Sequence, residues 1–251
     1  MVGLLLIPAA TYAADAPKIV LRTASQQATP ARYNAADRDM PGLCVEILHA
    51  IEQIDPGIAF TGLDEEAPLQ RVLAEVEKHR LDFFACAART PEREAQLTYL
   101  AQQVYSSHDV LAVRARDTVD VHALADIPKL GTGDFVIVAR GTMLEDMANK
   151  VPGLNVDAGS ADKLVNLRKL LTGRARFYFE TELNLNRAIQ DAHAEKEVRI
   201  LPTPLADEPQ YVVVNKHLDT AVVARLNAAL KTLEGTGALQ RIYARYALLE
   251  R

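Results

Sequence analysis

Apolar and polar residues follow two rhythms along this chain. Short apolar runs read as buried strands, and longer stretches with a 3.6-residue period read as helices. Ile19 to Thr23 is a strand, followed by a long polar loop from Ser25 to Asp39. Gly42 opens a helix carrying Leu43, Ile47, Leu48, Ile51 and Ile54 at helical spacing, and Ile58 to Leu63 is the next strand. Pro68 to Lys78 is a second amphipathic helix, with Leu69, Val72, Leu73 and Val76 on one face. His79 ends it, a residue type that tolerates the left-handed region better than most. Phe83 to Ala88 is a run of apolar and small residues, a buried strand. Thr90 then caps a helix with Pro91 at its first position and Glu92 in its first turn. This alternation of strand and helix predicts a parallel α/β sheet.

The pattern restarts after an extended stretch, Tyr105 to Val113. Phe135 to Ala139 is a strand, Arg140-Gly141 a turn, and Thr142-Met-Leu-Glu145 a capping box opening a helix. Val156 to Ala158 is a strand, and Ser160 is the natural cap of a helix bearing Leu164, Leu167, Leu170 and Leu171, ended by Gly173. Ala175 to Phe179 is an aromatic-rich strand running into Glu180-Thr-Glu182, and Val198 to Leu201 is the last short strand. Pro209 to Val214 is extended, and Thr220 to Leu233 and Gly237 to Tyr246 are helices.

At 251 residues, 49% hydrophobic and 24% charged, the chain is long enough for one large domain or two modest ones with real cores. A net charge of −5 without any Lys/Arg run argues against nucleic acid or an anionic membrane as a partner. The first fifteen residues, Met1 to Asp15, hold an apolar stretch too short to span a bilayer. With small residues around Ala13 they resemble the end of a secretory signal that lacks its basic region. Residues 1–16 are therefore read as a signal remnant, with a mature start near Ala14 and export as the consequence. Cys44 and Cys86 have the means to pair in an oxidising compartment, yet two small buried thiols is the favoured reading. The six His show no metal-ligand spacing, so neither a metal nor a cofactor is expected.

Candidate chemistry concentrates at two strand ends. Arg93 places a cation in a first helical turn, against the positive end of the macrodipole. Either it is solvated and neutralised by Glu92 and Glu94, or it lies where open α/β sheets bind ligands and holds an anion. Gly141 and Thr142 form a second anion site, because the free N–H groups of a capped helix start point into the space beyond the strand. Three other signals are set aside. Ser160-x-x-Lys163 lacks the companion motifs of a serine β-lactamase, and Gly131-Thr-Gly133 precedes its strand instead of following one. Glu46, Glu180 and Glu182 sit near no His, Ser or Cys in a motif that would need them, so no catalytic residue is assigned.

Thr90-Pro-Glu-Arg93, following a strand preceded by a helix, a short turn and Asp82, resembles the periplasmic solute-binding proteins of the amino-acid-binding type, family 3. Gly42-x-x-x-Glu46, Gly141-Thr142, the strand ending at Glu180-Thr-Glu182 and the closing helices follow the plan of that family in order. The resemblance implies a two-lobed α/β fold, the type II periplasmic-binding-protein fold, with two crossing strands as hinge. Lobe one would be residues 17–107 and 211–251, lobe two residues 108–210, with the ligand between them. It implies that Arg93 anchors a ligand carboxylate, with Cys86 and Ala88 of the preceding strand beside it. Gly141, Thr142 and Met143 would contribute from the other lobe, Met143 standing where the family commonly has Thr or Ser and offering an amide but no hydroxyl. The family's Asp for the ligand amino group falls on Thr181. Glu180 or Glu182 is expected to take its place, the alternative being a ligand that is not a simple α-amino acid. The implied role is a monomeric periplasmic receptor that passes a small-molecule ligand, an amino acid or related organic acid, to the membrane permease of an ABC importer. An enzyme on the same fold, of the cyclohexadienyl-dehydratase type, and a ligand-sensing partner of a membrane receptor stay open.

Overall fold

The computed structural model describes residues 18–246, so the proposed signal remnant at 1–16 lies outside the described residues. Strands β1 (Ile19–Arg22) and β2 (Ser25–Gln26) lead to helix α1 (Leu43–Ile54), followed by β3 (Ile58–Thr61) and β4 (Glu66–Ala67). Next come α2 (Leu69–Glu77), β5 (Phe83–Ala88), α3 (Pro91–Gln96) and the long strand β6 (Thr98–Arg114). Two short 3-10 turns precede β7 (Phe135–Ala139), α4 (Met143–Asn149), β8 (Asn155–Ser160) and α5 (Lys163–Leu171). The chain closes with β9 (Phe177–Thr181), α6 (Glu182–Asp191), β10 (Val198–Ile200), β11 (Ala206–Val214), α7 (Thr220–Gly235) and α8 (Ala238–Ala244).

These elements build two lobes joined by β6 and β11. β1 pairs in parallel with β3, and β2 with β4, which pins the start of the long polar loop. A seven-stranded sheet runs β5-β11-β6-β9-β7-β8, with β10 also on β6. β11 is antiparallel to both β5 and β6, while β6 continues onward to pair with β9 and β10. The two strands therefore pass from one lobe to the other side by side. The first lobe's core is formed by residues such as Leu43, Ile47, Phe83, Phe84, Val213 and Leu230. In the second lobe consecutive residues of β9 serve opposite faces of the sheet. Phe177 and Phe179 join Val136 and Leu144 on the α4 side, while Tyr178 joins Leu167 and Leu185 on the α5–α6 side. Each such aromatic contributes about 1.5–3 kcal/mol by leaving water.

His79 adopts φ 59° and Gly173 φ 76°, the left-handed helix ends that their residue types favour. Four local expectations change. β6 is 17 residues long, extending well before Tyr105, because its polar N-terminal half is paired with β11. Ser160 ends β8, and Asp162 caps α5 instead, accepting from the Val165 N–H at 3.0 Å. Helix α6 has no counterpart in the hydrophobic pattern, since its buried face includes Glu182 and Asn186 beside Leu183, Leu185 and Ile189. Cys44 and Cys86 are joined as a disulfide, not held as separate thiols. The physical reason is packing: α1 lies directly on β5, bringing the two Cα atoms to 6.2 Å.

The lobes also touch beside the hinge. Leu183, at the start of α6, packs into the first lobe's core, and the Asn186 side-chain amide donates to the Tyr246 carbonyl.

Candidate functional site

The carboxyl end of β5 is irregular. Its register against β11 slips between Tyr211 and Val213, and Cys86 takes φ 63°, an unusual value for a non-glycine residue. Such a bulge re-aims backbone groups, a device common beside binding sites. The Cys86 side chain is spent on the disulfide to α1, and its carbonyl accepts from the Arg32 guanidinium. The Ala88 carbonyl accepts twice, from Arg93 Nη1 at 2.8 Å and from the Tyr99 hydroxyl at 2.7 Å. Thr90 caps α3 as expected, its Oγ1 accepting from the Arg93 N–H at 3.3 Å. Arg93 is thereby fixed at the strand end. Glu94 instead pairs with Arg89 at 3.4 Å, and the Arg89 guanidinium lies over the rings of Tyr99 and Tyr211 at 4.9 and 4.6 Å. Arg32, Arg89 and Arg93 make this end of the first lobe cationic.

At the end of β7 the chain turns through Gly141 at φ 75° into α4. Thr142 is the cap: its Oγ1 accepts weakly from the Glu145 N–H at 3.4 Å, and its hydroxyl donates to the Ala139 carbonyl at 2.7 Å. The capping box is shifted by one residue. Glu145 reaches back to the N–H of Gly141, at 2.6 Å, not to that of Thr142. A carboxylate of the chain itself thus occupies an amide expected to face a ligand. The Met143 side chain is exposed.

The acidic end of β9 does not behave as its sequence suggests. Glu180 is buried and turned to the α6 side, accepting from the Thr181 N–H at 3.0 Å, the Asn184 amide at 3.1 Å and the Tyr178 hydroxyl at 3.3 Å. Glu182 is buried at the lobe boundary. It accepts from the Tyr243 hydroxyl at 2.9 Å and lies 3.1 Å from His108 Nδ1. The other His108 ring nitrogen is 3.4 Å from Asp207. Both glutamates are held by partners within the protein, so the expectation that either grips a ligand amino group is not carried by this geometry. Thr181 is only partly buried and stands directly opposite Asp109 on β6.

Asp109 is the acidic residue that the hydrophobic pattern concealed. It is the last residue of the polar stretch Ser106-Ser-His-Asp109, immediately before the apolar run Val110-Leu-Ala-Val, and nothing in that pattern sets it apart. Its carboxylate has no hydrogen-bond or ion-pair partner among the described residues. Burial, with Glu208 and Glu180 nearby, pushes its carboxyl up to about 6, against a smaller opposing effect of His108. Ser107 and Tyr105 follow it at two-residue intervals along β6, opposite Glu208 and Gln210 of β11. Ala88 lies on the far side of Gln210, which places the cationic strand end and the acidic stretch of the hinge along one ladder.

The model of the bacterial extracellular solute-binding proteins, family 3, matches residues 21–249. No curated protein sequence matches the chain. Among solved structures, a Bacillus subtilis protein described as a probable amino-acid ABC transporter extracellular-binding protein superposes with a TM-score of 0.74 at 15% identity, covering 91% of this chain and 97% of its own. The GluR0 ligand-binding core from Nostoc punctiforme, in complex with L-glutamate, gives 0.65 at 17% identity over 90% and 98%. An ancestral arginine-binding protein bound to arginine gives 0.63 at 19% identity over 90% and 97%. Similarity at these identities is a likeness of fold. Among the described residues no helix is long and apolar enough to cross a membrane.

Proposed function

Because the chain belongs to the bacterial extracellular solute-binding proteins of family 3, we propose that it is a periplasmic receptor for a small carboxylate-bearing solute, an amino acid or a related organic acid, which it delivers to an ABC importer. The observation that carries this reading is Arg93. Its guanidinium is pinned at the carboxyl end of β5 by one bond to Ala88, and a guanidinium has five N–H donors in a fork that fits a carboxylate. Arg32 and Arg89 add to the positive field on the same wall. The fold supports binding without turnover: contact with both lobes favours the closed form, and that free energy is the signal a permease reads. The disulfide suits an oxidising compartment and supports export. We take residues 17–107 and 211–251 as one lobe and 108–210 as the other, acting as a monomer.

Titration calorimetry against amino and organic acids, with product analysis for turnover, tests the reading. Truncating one partner of a buried, hydrogen-bonded charge pair typically costs about 2–5 kcal/mol, so Arg93→Ala should weaken binding at least tenfold. Equal affinity in the variant would remove the carboxylate anchor. Conversion of a bound acid would replace the receptor with an enzyme.

A further inference from the structure

We propose that Asp109, supported by Glu208, is the site that receives the ligand's amino group, a charge carried on β6 instead of at position 181 of β9. This inference rests on the receptor reading above and names the second pole of the same site.

Three observations carry it. First, Asp109 and Thr181 are directly paired across β6 and β9. Residues opposite each other on antiparallel strands share a face with their Cβ atoms about 4.5–5.5 Å apart. A carboxylate on Asp109 therefore reaches nearly the same volume as one on residue 181, whereas Glu180 faces the other side and is saturated. Second, Glu208 follows on that face, one step along β11 from the rung of Ala206 and Asp109, and Gln210 comes next. Third, the hydroxyl of Tyr105 is buried and has no hydrogen-bond partner. Tyr105 alternates onto the same side of β6 as Ser107 and Asp109, and its ring stacks on Tyr243 of the first lobe. Leaving a buried hydroxyl unpaired is costly, and a polar ligand lying along this ladder would satisfy it. Tyr105 and Asp109 are four residues apart, about 13 Å of strand.

The charges that act on Asp109 are Glu208 from β11, Glu180 from the opposite face of β9 and His108, its neighbour on β6. Two carboxylates crowd it and no cation pairs with it, so its ionised form lacks a counter-ion until an ammonium arrives. The sign follows. A cationic group stabilises the ionised carboxylate and lowers its pKa in the complex. Affinity for an amine is then full above about pH 6 and falls as the pH drops through that value.

The test uses the intact mature protein, calorimetry, and the standard L-amino acids as probes. The tightest of these is compared with its deaminated carboxylic acid. Asp109→Asn should weaken the amino acid at least tenfold and leave the deaminated acid within about twofold. Adding Thr181→Asp to Asp109→Asn should restore the amino acid, which a merely structural role for Asp109 would not allow. Wild type should lose amino-acid affinity between about pH 7 and about pH 5 without a parallel loss for the deaminated acid. If the substituted proteins fail to fold, this pH comparison on wild type decides alone. An amino acid that binds Asp109→Asn as well as wild type overturns the amine site while leaving the Arg93 anchor standing. Binding of organic acids but of no amino acid does the same. If no carboxylate-bearing probe binds at all, the receptor reading fails and takes this inference with it.

Discussion

At the scale of single residues, the two proposed anion sites differ in readiness. Arg93 keeps donors to offer, while the Gly141 amide is already occupied by Glu145. A ligand carboxylate seeking that amide competes with a tethered carboxylate of like charge. Glu145→Gln should therefore strengthen binding of a carboxylate ligand severalfold, measured by calorimetry at neutral pH. Its cost is weaker support for the start of α4, about 0.3–1 kcal/mol. Weaker binding in this variant would mean that Glu145 organises the turn more than it blocks it. The placement of Arg93 at the strand end was legible in sequence because Thr90 and Pro91 fix a helix start. Asp109 was not, because its meaning depends on standing opposite Thr181, and register between strands far apart in the chain is written in no local pattern. The partners of Glu180 and Glu182 are hidden from sequence for the same reason. Their acidity was visible, but not the Tyr178, Asn184 and Tyr243 side chains that hold them.

At the scale of elements, nearly every strand and helix followed from periodicity, turn residues and caps. Apart from the two-residue strands β2 and β4, the exception is α6, which buries polar groups at the lobe boundary, so its apolar face has gaps where Glu182 and Asn186 stand. The disulfide is the other feature that periodicity hid. A cysteine in an apolar helix face and one in an apolar strand look alike whether or not they meet. Their sequence separation of 42 gives a loop whose closure is worth about 4 kcal/mol in the chain-entropy account. Reduction, or the double substitution Cys44→Ala with Cys86→Ala, should lower the melting temperature by roughly 8–16 °C. Calorimetric scans with and without reductant measure this. Because Cys86 lies in the bulge two residues before Ala88, the double variant should also bind more weakly. A melting temperature unmoved by reductant would show that α1 and β5 are held by packing alone.

At the scale of the whole molecule, β6 and β11 are the two strands that cross between the lobes, and closure about them is the expected motion. Glu182, His108 and Tyr243 join the lobes beside those strands, and the proposed ligand contacts at Arg93 and the Gly141 turn come from different lobes. Saturating ligand should therefore compact the molecule, seen as a smaller radius of gyration in solution scattering. An unchanged radius at saturation would mean a rigid site. The first lobe, moreover, is completed by the last part of the chain. The Tyr246 hydroxyl donates to Glu46 and accepts from the Gly42 N–H, and Arg225 pairs with Asp55 at 2.6 Å across 170 residues of sequence. Contacts of such long range form late, because the intervening chain must first be closed into a loop. While the polypeptide is still emerging from the ribosome, the partners of α1 have not yet been made, and the N-terminal half has no finished globule to become. A nascent chain in that condition can still be threaded, end first, through a narrow pore.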